Sequence, residues 1–149
     1  MGIRFAARVI IGSISVGLSV AGTASAQNGS DISDLPKLYP AGYALWQQSL
    51  PYALGPLPDW LTSFNGTVTP LRDVSVGGAS MKFGTVCKPH DCGGNIAGIL
   101  YSSQRGRIVA LVRLRTKGSG TSLMTIGPIS NAEFSCVQRL IDDDQSTLC

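Results

Sequence analysis

The chain has 149 residues, of which twelve are Lys or Arg, nine are Asp or Glu and one is His, for a formal charge of +3. Arg4 and Arg8 are the only charges in the first 26 residues, so the remainder carries ten basic against nine acidic side chains. That balance argues against nucleic acid or an anionic surface as a partner.

In chain order, the positive start at Arg4 and Arg8 precedes an apolar run from Val9 to Gly22, too short to span a bilayer comfortably, and then the small-residue cleavage signal Ala24-Ser25-Ala26. Residues 1–26 therefore read as a removable export signal, and residues 27–149 as one domain with a single core and no internal repeat. No cysteine stands at the junction to take a lipid, and no later apolar run is long enough to cross a membrane. The expected product is soluble and exported.

Gln27 to Lys37 is polar and reads as a loose arm. From Ala41 to Leu50, Tyr43, Trp46 and Leu50 recur at helical spacing between Pro40 and Pro51, which predicts a short amphipathic helix. Leu57 to Phe64 reads as a second short helix, with Pro58 in its first turn and Trp60 packed on a sheet rather than on a partner. After Gly66 the period changes. Thr67 to Val76 holds two β-prone runs around Pro70, an edge or a bend, and Gly77-Gly78 is a turn. Met81, Phe83 and Thr85 then alternate with Ser80, Lys82 and Gly84 in a strand that runs straight into Cys87.

Ile96 to Ser102 is apolar at both alternations, as a central strand would be, which puts residues 87–95 at the tip of a hairpin. Arg107 to Thr116 alternates Ile108, Ala110, Val112 and Leu114 against Arg107, Arg113 and Arg115, with Val109 and Leu111 blurring the outer face. Lys117 to Gly120 is a turn and Ser122 to Ile126 a last strand. Ser130 and Glu133 have capping-box spacing before the stripe Phe134, Val137, Leu140 and Ile141, so a C-terminal helix should cover the sheet and end at the acidic run from Asp142 to Asp144. The expected fold is α+β: an antiparallel sheet of about five strands with short helices packed mainly on one face.

Four cysteines behind an export signal, Cys87, Cys92, Cys136 and Cys149, make two disulfides the default, with three possible connectivities. Between the first two lie Lys88, Pro89, His90 and Asp91, including the only histidine of the chain. Were Cys87 and Cys92 joined, closing so short a ring would contribute only about 2 kcal/mol, so holding a side chain still is the better reason to build it. Several chemistries compete there. A thiol–disulfide oxidoreductase would place two residues between its cysteines at a helix N-terminus; here four intervene between strands. A zinc site would need a distant fourth ligand, and catalysis by His90 a second group beyond Asp91. Three consecutive aspartates diverge too much to hold a metal and read as a solvated charge run. The plainest reading is a stapled hairpin turn.

All six positions from Cys87 to Cys92 match the signature loop of the inhibitors of vertebrate lysozyme, and Leu57-Pro58-Asp59-Trp60, Gly66-Thr67, Pro70 and Gly93 resemble that family's flanking residues. The resemblance covers roughly residues 57–127. It implies a periplasmic inhibitor of a Gram-negative bacterium, not an enzyme, with no cofactor or metal. Its partner would be the C-type lysozyme of an animal host, whose cleft His90 would enter between the catalytic carboxylates. Lys88 and Asp91 would be rim contacts, Pro89 would set the approach, and a Cys87–Cys92 bond would preorganise the loop. With that pair matching the family and both pairs local, the preferred connectivity adds Cys136–Cys149, which has no counterpart in the family's pattern. The family also suggests a homodimer. A member that kept the loop for another target would address the bacterium's own lytic transglycosylases.

Overall fold

A computed structural model describes residues 29–50, 56–116, 118, 120–143 and 149. The export signal expected over residues 1–26, the stop expected at Pro51, and Asp144 lie outside the described residues.

Pro70 organises the first edge of the sheet. Lacking an N–H, it cannot continue a ladder, and the chain is split there into β1 (Thr67–Val68) and β2 (Arg72–Val76), which pair with opposite ends of one long strand, β3 (Ala79–Cys87). In the gap the Thr69 hydroxyl accepts the Thr85 N–H at 2.9 Å, and the Thr85 carbonyl accepts the Thr69 N–H at 3.1 Å. The interruption thus leaves both polar groups of Thr85 satisfied. β4 (Ile96–Ser102), β5 (Arg107–Thr116) and β6 (Gly120–Ile126) follow as an antiparallel meander. Among the described residues six strands therefore occupy five positions, with β1 and β2 sharing the edge beside β3. This is the expected α+β class.

Residues 29–38 are not the loose arm that their composition suggests. Asp31 accepts the Ser33 N–H at 2.8 Å and Asp34 reaches back to the Asp31 N–H at 3.1 Å, capping a 3-10 turn (Ile32–Asp34) that runs into α1 (Leu35–Leu38). Ile32 and Leu35 are completely buried. Two apolar side chains three apart share one face of a helical turn even among polar neighbours, and a bridge between Asp31 and Pro70 ties the segment to the sheet edge.

α2 (Pro40–Ser49) starts with its proline in the first turn, where the missing N–H is not needed. It lies close to the sheet because Gly42 faces the Tyr101 ring; a Cβ there would stand 2.5 Å from the ring carbon Cε2. Burial pushes the Tyr101 phenol above its ordinary pKa, and Tyr39 beside it adds to the shift. The second helix shrinks from the expected Leu57 to Phe64 to a single turn, α3 (Asp59–Thr62), because Pro58 is extended and Phe64 turns left-handed at φ 54°. Its apolar residues are still spent on the core: Trp60, Leu61 and Phe64 are buried, and the Trp46 indole N–H donates to the Thr62 carbonyl at 3.3 Å.

These three helices share one face of the sheet, against Val86, Ala97, Ile99, Ala110 and Val112. The longest of the described helices, α4 (Asn131–Asp142), takes the other, laying Cys136, Val137 and Leu140 on Leu100, Val109 and Leu111. Val109 and Leu111, which blurred the strand pattern, are buried because α4 covers them. The predicted capping box is formed, with the Ser130 hydroxyl accepting the Glu133 N–H and Glu133 accepting the Ser130 N–H at 2.8 Å. Glu133 also pairs with Arg107 at 2.7 Å and Asp142 with Arg113 at 2.6 Å, so both ends of α4 are tied to β5. Beyond the helix, Cys149 is bonded to Cys136 and its N–H donates to the Ser75 carbonyl at 3.2 Å. Among the described residues no helix is long and apolar enough to cross a membrane.

Candidate functional site

β3 and β4 stay in register to the pair Cys87 and Ile96, and the last rung is the Lys88 N–H on the Asn95 carbonyl at 2.9 Å. Everything between is the hairpin tip. Cys87, buried on the strand, is bonded to Cys92 with Cα atoms 4.9 Å apart. Within that ring Lys88 to Asp91 form a tight turn, closed by the Asp91 N–H on the Lys88 carbonyl at 3.0 Å. Pro89 takes the second position, which suits its fixed φ, and His90 the third, with φ 64°. Such a value is usual for Gly or Asn and uncommon for a larger residue.

Lys88, Pro89 and His90 are exposed, while Asp91 and Cys92 are half-buried. Among the described residues none bonds the His90 imidazole, which leaves both ring nitrogens for an outside partner. The lower half of the loop is tied down instead. The Asp91 carbonyl accepts the N–H groups of Gly94 at 3.3 Å and Asn95 at 2.9 Å, and the Asp91 carboxylate accepts the Asn95 side-chain amide at 2.6 Å. The guanidinium of Arg115 lies 3.8 Å from the same carboxylate. Beside the loop an open concavity of about 480 Å³ is lined by Lys88, Asp91, Asn95, Arg115 and Thr121, with Gly118 and Gly120.

The six residues singled out in the sequence are thus together on one knuckle. The upstream motif supports its base: Thr67 pairs with Cys87, and a Cβ on Gly66 would stand 2.3 Å from the Cys87 carbonyl oxygen. Asn95 and Arg115 were not visible as site residues, because the contact between them joins positions 20 apart across two strands. Neither cysteine of the loop lies at a helix N-terminus, the setting a thiol oxidoreductase needs. Among the described residues no group of three or more His, Cys, Asp or Glu is placed to hold a metal.

Residues 43–119, more than half the chain, match the family model described as inhibitor of vertebrate lysozyme. The chain belongs to that family. The matched segment begins in α2 and ends just past β5, so it contains the whole hairpin and its knuckle but neither β6 nor α4. Among relatives of this member, the inhibitor of vertebrate lysozyme of Escherichia coli K12 is 31% identical over 94 residues, covering 63% of this chain and 57% of its own. The protein of that name in Escherichia coli O157:H7 gives the same figures. An uncharacterized protein of Yersinia pestis is 33% identical over 55 residues, 37% of this chain and 36% of its own. The chain thus spans less than two thirds of the length of the relatives it matches.

Proposed function

We propose that the protein inhibits C-type lysozyme by inserting the ring from Cys87 to Cys92 into the enzyme's cleft, with His90 between the catalytic carboxyl groups. One observation carries the reading: an exposed imidazole on a disulfide-closed turn at the tip of a hairpin, inside the segment matched to the family. Retaining glycosidases hold two carboxyl groups about 5 to 5.5 Å apart, one protonated and one ionised. An imidazole fits that gap, since its two nitrogens diverge and can meet a carboxyl group each while the ring occupies the place of the scissile bond. Little loop entropy remains to be lost on docking, because the turn is already closed by sulfur and by hydrogen bonds. Lys88 and Asp91 serve as rim contacts and Pro89 sets the approach. The inhibitor works in the periplasm, reached by the export signal of residues 1–26, and performs no chemistry of its own.

The test is titration of the protein into hen-type lysozyme while cell-wall lysis is followed. Removing a central anchor typically costs over about 2 kcal/mol, so His90→Ala should weaken binding by roughly thirtyfold or more. An unchanged dissociation constant for this variant by calorimetry refutes the anchor role.

A further inference from the structure

The disulfide fastens Cys92 to Cys87 at the end of β3, but it gives the ring no hold on β5. Beside the Arg115–Asp91 pair at 3.8 Å, that hold runs through Asn95, which is only 8% exposed. Its side-chain carbonyl accepts the Arg115 N–H of β5 at 3.2 Å, and its amide donates to the Asp91 carboxylate at 2.6 Å. Its backbone carbonyl accepts the Lys88 N–H and its own N–H donates to the Asp91 carbonyl, both at 2.9 Å. The orientation of the amide is dictated by these partners: flipped, it would set oxygen against carboxylate and N–H against N–H. Four bonds thus converge on one buried residue, two to Asp91, one to Lys88 and one to the neighbouring strand. Gly94 leaves room for the arrangement, since a Cβ there would meet the Arg115 guanidinium at 2.7 Å.

We propose that Asn95 is the positioning residue of the loop, holding Asp91 and through it the turn that presents His90; this rests on the inhibitory reading above. With Asn95 intact, a ring opened by reduction stays docked on β5. Without it, a closed ring swings as a unit.

The experiment reads amide hydrogen exchange at Lys88, Asp91 and Asn95 in the free protein, together with inhibition of hen-type lysozyme. Asn95→Asp keeps the shape and the acceptor toward Arg115 but sets a second carboxylate against Asp91. It should speed exchange at the Lys88 and Asp91 amides and weaken inhibition by about tenfold at neutral pH. Relative to the wild-type profile, both effects should recede as pH falls into the carboxylate range, where the two groups can share a proton. Combining Asp91→Asn with Asn95→Asp exchanges donor and acceptor and should restore slow exchange at neutral pH, which a purely space-filling role would not. The Cys87→Ser, Cys92→Ser protein should keep slow exchange at Asp91. Unchanged exchange in Asn95→Asp, or equal loss in the cysteine-free loop, overturns the assignment of Asn95. Faster exchange with lysis unaffected by both Asn95→Asp and His90→Ala overturns the lysozyme reading instead.

Discussion

His90 occupies a backbone region that its side chain disfavours. A residue with a Cβ in the left-handed region loses about 1–2 kcal/mol relative to glycine, and His90 regains none of it through a bond to another described residue. Strain kept where the fold does not use the side chain points to a use outside the fold. His90→Gly should therefore leave the melting temperature equal to or above that of wild type, the relief of strain offsetting the extra unfolded-state entropy of about 0.5–1 kcal/mol. Inhibition should nevertheless fall as far as in His90→Ala. A clearly lower melting temperature would mean that the imidazole supports the loop itself. The composition of this knuckle was legible in the sequence, and so was its place at the tip of a hairpin. Its backbone was not, because a positive φ is normally announced by Gly or Asn rather than by His.

The hairpin that carries the knuckle depends on how closely β1 can pass its base. Gly66 faces the Cys87 carbonyl, a backbone atom held in the sheet, so an added methyl group cannot be accommodated by a side-chain rotation. Gly66→Ala should destabilise the protein by about 1–3 kcal/mol in urea unfolding and open the rungs from Thr67 and Val68 to Cys87 and Val86 to hydrogen exchange. A fully stable variant with a protected ladder would contradict this packing. The spans of β4 and β5 could be read directly, since the apolar run of the first, the alternation of the second and their bounding turns are local features. The 3-10 turn at Ile32 and the single turn of α3 could not, because elements of three or four residues are too short to show a period.

The two disulfides hold different parts of the molecule. Cys87–Cys92 shapes the knuckle, whereas Cys136–Cys149 fastens Cys149 to α4 and lies outside the segment matched to the family. Its cysteines are 13 positions apart, a loop whose closure contributes about 3 kcal/mol in the chain-entropy model. Cys136→Ser with Cys149→Ser should lose roughly that much stability while each folded molecule inhibits as before. Cys149 meets β2 at Ser75, which pairs with Ser80 near the start of β3, and the knuckle leaves from the other end of that strand. Inhibition falling in step with stability, at a temperature where the variant is still folded, would show that the two ends are coupled.

From its order of residues alone, this chain specified the make-up of the ring around His90, the strands that lead into and out of it, and the cap of α4. The last two follow from contacts within a few positions, the period of a strand and the reach of a serine to the third residue of a helix, while the pairing of the two cysteines five apart rested also on the resemblance to the family. The burial of Ile32 and Leu35, the covering of both sheet faces and the anchoring of the knuckle on β5 through Asn95 were decided only by the folded molecule. Those contacts join segments far apart in the chain, and no local pattern records which distant residue will be there to meet them.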